Sequence, residues 1–281
     1  MRPADLVGPV RRTLLVRADG SRDTSTRVVW LQGPSLFVDL RLPATEPAAP
    51  AGLDGPGSLA GATTEQLQPL ASREGFAGRF HLDGDLARWD RLVDWHPPTG
   101  VPDEGTLACD GDVVVETGVH APYVEHWRPE PDAATDAVPD AAAVLLHENG
   151  SRRTGVLVRV GARFGLARGR AVPLPDGGSL PDLLAAADPA DRASLLDCEV
   201  SLGRVEAGGR WVVELSTLPW RVGRDVAPLD AGRTFSTVDT VVRRWHVVSR
   251  EGGTLVPGLG GTVAPQHVLP DPTPRSHGAA E

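Results

Sequence analysis

Asp39 and Arg41 stand two residues apart in the segment VVWLQGPSLFVDLRLP, residues 28–43. In an extended strand that spacing puts both side chains on one face, where they can form an ion pair. If that face lines a closed barrel, the pair loses solvation that only good geometry and further hydrogen bonds offset, an arrangement that marks a site. Asp39 could then act as acid or base, and Arg41 could steady developing negative charge. On a solvated face the same pair is a surface salt bridge worth roughly 0–1 kcal/mol.

The richest polar cluster is ETGVHAPYVEHW, residues 116–127, which holds His120, the only tyrosine Tyr123, Glu125, His126 and Trp127. Tyr123, Glu125 and Trp127 share one strand face while His126 and Arg128 point the other way, so a metal held by both Glu125 and His126 would need a bent strand. No metal site is expected. A carboxylate beside a phenol and an indole suits a small ligand instead, because an apolar setting raises the pKa of an acid and lets it bind or protonate a polar group. The competing reading is a core network in which these polar tips satisfy one another.

Other segments point to structure. In LARWDRLVDWH, residues 86–96, alternation places Trp89, Arg91, Val93 and Trp95 on one face, with Arg91 able to stack between two indoles in a contact of roughly 0.5–2 kcal/mol. In DCEVSLG, residues 197–203, the neighbouring Glu199 raises rather than lowers the Cys198 thiol pKa, so no activated nucleophile is expected. Cys109 and Cys198 have no C-x-x-C partner and are expected to be buried free thiols. A triad of Ser35, His120 and Asp39 can be written down, but no G-x-S-x-G elbow accompanies it.

The elements that must position these groups are mostly strands. Residues 27–32 and 35–42 form a hairpin across Gly33-Pro34, with Leu36, Val38, Leu40 and Leu42 on one face and Ser35, Phe37, Asp39 and Arg41 on the other. Further strands are expected at 76–82, 86–96, 106–109, 113–118 and 123–128, with turns at Asp83-Gly84 and Asp110-Gly111. The second half repeats the style at 155–160, 162–168, 198–203, 210–216, 221–226 and 235–249, with a turn at Gly208-Gly209. One helix is expected over 179–187, capped by Ser179, and a second short one opens at Asp188-Pro189. The fold class is therefore all-β, with two consecutive antiparallel barrels or sandwiches and one or two short helices. Pro, Ala and Gly make residues 43–58 a long loop, and PEPDAATDAVPDAAA makes 129–143 a linker. The expected map is an N-terminal barrel at 1–128, the linker, a C-terminal barrel at 144–256 and a disordered tail at 257–281.

Composition excludes several classes. The 281 residues carry 28 basic and 37 acidic side chains, a net charge of −9, which argues against nucleic acid as a partner. All the basic residues are Arg, and the absence of Lys removes Schiff-base chemistry, a Walker-type phosphate loop and covalent pyridoxal, so no cofactor is expected. The start lacks the run of roughly 7–15 apolar residues of a signal peptide, and no segment approaches the roughly 20 needed to span a bilayer. A cytoplasmic protein with no membrane partner is the expectation.

VVWLQGPSLFVDLRLP, the WHPP that follows, the 116–127 cluster, DCEVSLG and STLPW together resemble a family of bacterial proteins similar in plan to tandem calycin-like (lipocalin-like) proteins, which include a fungal family of two consecutive barrels. The resemblance covers residues from about 10 to 256. It implies two lipocalin-like β-barrels and a cavity for a small apolar ligand, and it carries no catalytic residues across. The expectation is a protein that binds a small, largely apolar molecule in the N-terminal barrel, the half with the only Tyr and four of the seven Trp. Asp39, Arg41, His120, Tyr123, Glu125 and Trp127 are the candidate ligand-binding residues. The alternatives are a cofactor-independent lyase, hydratase or isomerase using Glu125 or Asp39 as acid or base, and a protein-interaction scaffold.

Overall fold

Alternation of apolar and polar side chains carries most of this chain into strands. The computed structural model describes residues 2–44, 52–130, 140–238 and 242–256. Its first nine strands are β1 (Gly8–Arg17), β2 (Arg22–Asp23), β3 (Arg27–Gln32), β4 (Leu36–Leu42), β5 (Glu74–Asp83), β6 (Leu86–Asp94), β7 (Glu104–Asp110), β8 (Val113–Gly118) and β9 (Tyr123–Pro129). They form an antiparallel meander in which β9 returns to β1, with Leu15 opposite Glu125 and Arg17 opposite Tyr123. That pairing closes an eight-stranded barrel, and the two-residue β2 flanks β1. Closure leaves the barrel without a free edge, and eight strands enclose an interior just large enough for packed side chains or one small ligand.

The second half contributes β10 (Ala141–Glu148), β11 (Thr154–Val160), β12 (Arg163–Arg168), β13 (Glu199–Val205), β14 (Trp211–Ser216), β15 (Leu229–Ala231), β16 (Thr234–Val238) and β17 (Val242–Gly252). These make one curled antiparallel sheet, ordered β14-β13-β12-β11-β10-β17-β16-β15, in which β14 and β15 do not pair among the described residues. The two-barrel all-β plan thus holds with one correction: the second unit is a half-barrel. The expected strand over 221–226 does not form. Pro219–Arg221 forms a 3-10 turn, Gly223 follows at φ +80°, and residues 223–226 run beside β14 through a bridge from Val212 to Asp225 and backbone bonds such as Val226 N–H to the Trp211 carbonyl, without becoming a strand.

Three helices complete the structure: α1 (Thr64–Ala71), α2 (Leu180–Ala186) and α3 (Pro189–Leu195). Ser179 caps α2 as its sequence position indicates, accepting from the Asp182 amide. Of the stretch read as a loop, 43–58, residues 45–51 lie outside the described ones and Pro56–Gly61 forms a 3-10 helix. Most of the 129–143 stretch, residues 131–139, and the 257–281 tail also lie outside, while β10 begins at Ala141. No described helix is long and apolar enough to cross a membrane.

The core has three parts. The barrel interior buries Val10, Val28, Trp30, Phe37, Phe80, Trp89 and Trp127. The concave side of the half-barrel is filled by Val144, Leu157, Phe164, Trp211, Phe235 and Trp245. Between the two lies the largest cluster, in which Leu36, Val38, Leu40 and Leu42 of β4 and Val93 meet Val156, Val158, Val200 and Leu202, with leucines of α1 and α2 covering one end. Burying each such side chain stabilises the fold by roughly 1.5–3 kcal/mol, so this interface joins the two halves tightly.

A β-bulge corrects the face expected for β6. Arg91 pairs with Gly78 and Val93 with Ala77, so Leu92 is the extra residue. Before it, Trp89 and Arg91 face the barrel interior; after it, Val93 and Trp95 belong to the inter-sheet core. Arg91 therefore stacks on Phe76, its guanidinium carbon 3.6 Å from the ring centre, and not between two indoles. Cys109 is corrected as well: it is exposed near the end of β7, whereas Cys198 is buried.

Candidate functional site

The face of β4 that meets the half-barrel is its apolar one, so Phe37, Asp39 and Arg41 must turn into the barrel. Tyr123, Glu125 and Trp127 of β9 turn inward with them, as do Glu116 of β8 and Trp30 of β3. All of these but Phe37, which is packed in the barrel core, line a cavity of about 460 Å³. Its floor is aromatic: Trp30 meets Trp89 and Trp127 edge-on, with ring centres 5.6 and 5.8 Å apart. Such edge contacts fix large rings in place and leave a rigid apolar surface.

Above the floor lies a layer of paired charges. Arg41 Nε donates to Asp39 Oδ1 at 2.9 Å, and Arg12 donates to Glu125 Oε1 at 2.6 Å and to Asp23 at 3.0 Å. Arg41 also lies 3.9 Å from Glu125. At the mouth, Arg91 bonds Asp103 at 2.7 Å and Asp94 at 3.0 Å. Burial pushes the Asp39 carboxyl up in pKa, with Arg41 opposing. Burial alone would lower Arg41, but Asp39, Glu125 and Glu74 outweigh it and hold the guanidinium charged.

Glu116 is different. It accepts from Tyr123 Oη at 2.6 Å and from Trp127 Nε1 at 2.9 Å, and it makes no ion pair among the described residues. Burial, then the charge of Glu125, push its pKa up to about 8. Burial and Glu116 likewise push Tyr123 up, so the phenol stays neutral. The room for this pair comes from Gly105 and Gly118, opposite each other on β7 and β8. A Cβ on Gly105 would come within 2.9 Å of Glu116 Cγ, and one on Gly118 within 2.4 Å of the Tyr123 ring.

Five of the six residues singled out from the sequence, Asp39, Arg41, Tyr123, Glu125 and Trp127, line this one cavity. His120 does not. It lies in the β8–β9 turn, its Nε2 2.8 Å from Glu104 Oε2, beside an outer cavity of about 650 Å³ that shares Trp89, Arg91, Asp103, Ala121 and Tyr123 with the inner one. The inner site also uses Glu116, Arg12, Arg91, Phe76 and Trp30. Glu116 was within reach of the sequence, since it sits inward on β8 in the cluster already singled out; the others depend on barrel closure or on bulges. With Arg12, Arg41 and Arg91 held in ion pairs, the site offers a rigid apolar floor, fixed dipoles and one neutral acid–phenol pair.

Comparison with solved structures places the fold. The chain is similar to the uncharacterized protein YLR301w from Saccharomyces cerevisiae, with a TM-score of 0.52 and 12% identity over 86% of this chain and 98% of that one. At that identity the likeness concerns the fold alone. A DNA polymerase III β subunit from Thermotoga maritima aligns with a TM-score of only 0.13, 12% identity, and 88% and 57% of the two chains covered, and carries no weight. No family model and no curated protein matches the sequence.

Proposed function

We propose that this chain is a cytoplasmic, lipocalin-like protein that binds a small, largely apolar molecule in its N-terminal barrel, with Asp39, Arg41, Tyr123 and Glu125 orienting it. One contrast carries the reading: the closed barrel keeps a cavity of about 460 Å³ over an aromatic floor, while the concave side of the half-barrel is filled by Phe164, Trp211, Phe235 and Trp245. A largely apolar pocket of a few hundred Å³ with a few fixed polar groups is the usual form of a small-molecule site. Asp39 with Arg41, and Glu125 with Arg12, are already bonded to one another, which suits orientation of a ligand.

Acid–base catalysis by Asp39 or Glu125 on the same scaffold is the second reading. The burial and raised pKa of Asp39 at the cavity wall favour it, while the ion pairs to Arg41 and Arg12 weigh against it. Native mass spectrometry of the freshly purified chain tests binding directly. A retained molecule is expected, and Leu15→Trp, which fills the cavity, should release it. A retained molecule whose mass changes on incubation would favour catalysis, and a chain that retains nothing and binds no apolar aromatic probe would refute both readings.

A further inference from the structure

We propose that Tyr123 and Glu116 form a hydrogen-bond-donating pair that selects, in the N-terminal cavity, a neutral ligand carrying a carbonyl-type oxygen. The proposal rests on the cavity being a binding site and adds the chemical class of what it holds.

The geometry begins with register. Glu116 on β8 is directly opposite Glu125 on β9, and both are buried. Two ionised carboxylates in that position repel, so one of them keeps its proton. Glu125 has Arg12 at 2.6 Å and Arg41 at 3.9 Å to hold its charge. Among the described residues Glu116 has the phenol of Tyr123 and the indole of Trp127 as partners, and its pKa of about 8 agrees that it is the protonated partner at neutral pH.

The position of that proton follows from the two hydrogen bonds. Trp127 Nε1–H occupies Oε2, which leaves Oε1, 2.6 Å from Tyr123 Oη, as the seat of the proton. An ionised Glu116 accepts from the phenol across this contact; the protonated acid reverses the bond, its O–H donating to the phenol oxygen. The phenol's own hydrogen is thereby released to point away from Glu116, and Tyr123 lines both the inner and the outer cavity. A phenol that accepts from an acid is a stronger donor than a phenol alone, because the two bonds polarise each other.

The surrounding charges define the partner. The groups around Glu116 are Tyr123, Glu125 and Trp127 from β9, Asp39 and Arg41 from β4, Arg91 from β6, Asp103 before β7, and Arg12 of β1 through Glu125. Three arginines are already bonded to carboxylates: Arg41 to Asp39, Arg12 to Glu125 and Asp23, Arg91 to Asp103 and Asp94. Arg17 of β1 also lines the cavity but is exposed, and it makes no ion pair among the described residues. An anionic ligand finds no buried cation without a carboxylate partner among the described residues, only the exposed, solvated Arg17. A cationic ligand finds no uncompensated carboxylate until Glu116 loses its proton. What the buried part of the cavity offers is the phenolic donor over an aromatic floor, which fits a neutral, flat molecule with an oxygen acceptor.

The test uses three fluorescent probes on the full chain: 6-propionyl-2-dimethylaminonaphthalene, the same dimethylaminonaphthalene without its ketone, and a naphthyl-trimethylammonium cation. The ketone is expected to bind more tightly than the ketone-free probe, by about tenfold for one hydrogen bond. Its affinity should fall as pH rises through the Glu116 titration. Tyr123→Phe should remove the preference while leaving the ketone-free probe unaffected. Glu116→Gln should keep the preference and lose its pH dependence, since the amide can still donate to the phenol. Equal binding of the two neutral probes, or a Tyr123→Phe variant that still prefers the ketone, would overturn the proposal while leaving the cavity a binding site. Tighter binding of the cation as pH rises, with no ketone preference, would assign the cavity to cations instead. If no probe binds, the cavity is not a binding site and both conclusions fall.

Discussion

Glu116 and Glu125 face each other across neighbouring strands inside the barrel, and among the described residues only Glu125 of the two holds an arginine. The folded chain therefore binds a proton at Glu116 that the unfolded chain gives up near pH 4.5. A raised pKa of this kind stabilises the fold fully below the unfolded value and ceases to do so as pH rises through about 8. Burial of Asp39 acts in the same direction. Wild type should thus lose stability between pH 5 and 8, by at most roughly 1.4 kcal/mol per pH unit for one proton. Glu116→Gln removes that proton and should flatten the curve. Urea midpoints for both chains across this range decide it: parallel curves would mean that Glu116 titrates normally.

Asp39 is buried and its neighbour Arg41 is mostly so, with Nε at 2.9 Å from the carboxylate. Asp39→Ala would leave the guanidinium with Glu125 at 3.9 Å as its nearest carboxylate in the cavity. Breaking a buried pair from one side costs about 3–5 kcal/mol, and the partial exposure of Arg41 favours the lower end. Replacing both, Asp39→Leu with Arg41→Met, should recover much of that loss, because no uncompensated charge remains. A denaturation midpoint for Asp39→Ala no lower than that of a surface variant would show the pair to be unimportant.

How much of this was legible in the sequence varies from strand to strand. β4 was fully legible: strict alternation in LFVDLRL gave both its apolar outer face and the inward Asp39 and Arg41. β9 was equally clear. β1 was not, because a bulge between Arg12 and Leu14 puts Leu15 out of phase with Val10 and Arg12, and the pairing of Arg12 with Glu125 comes from the closure of β1 on β9. The bulge at Leu92 misled in the same way, since period-two counting carried Val93 and Trp95 onto the wrong face. α1 is marked locally by the reciprocal Thr63–Gln66 capping bonds, yet its short span and internal Pro69 hide it among loop residues. The role of Glu116 depends on which residue of β9 lies opposite it. Register of that kind is fixed by barrel closure rather than by local sequence.

The inter-sheet core has a consequence for truncation. Leu36, Val38, Leu40 and Val93 are buried only because the second sheet lies against them, and Arg170 fastens the junction by donating to the carbonyls of Asp94 and Trp95, each at 2.8 Å. Residues 1–130 produced alone should expose this apolar face and aggregate, whereas the full chain should unfold in one transition. Calorimetry of the full chain is the check. Two resolved transitions, or a soluble monomeric 1–130 fragment, would mean that each half is stable by itself.

The two cysteines report on the same junction without any truncation. Cys109 is exposed on the barrel, while Cys198 is buried where the halves meet, its Sγ 3.7 Å from the Asp94 carbonyl oxygen. Burial pushes the Cys198 thiol up in pKa, against the opposing charges of Arg170 and Arg168, so it is both inaccessible and weakly nucleophilic. A thiol reagent should modify Cys109 rapidly in the native chain and leave Cys198 untouched. Modification of Cys198 should require opening of the junction, and if the halves separate only on global unfolding, its rate should follow the unfolding equilibrium as urea increases. Val38→Ala, which removes two methyl groups from the inter-sheet core, should then speed Cys198 modification by the same factor by which it lowers global stability. If Cys198 instead reacts in the absence of urea at a rate insensitive to Val38→Ala, the halves part locally and the junction is not part of one cooperative core.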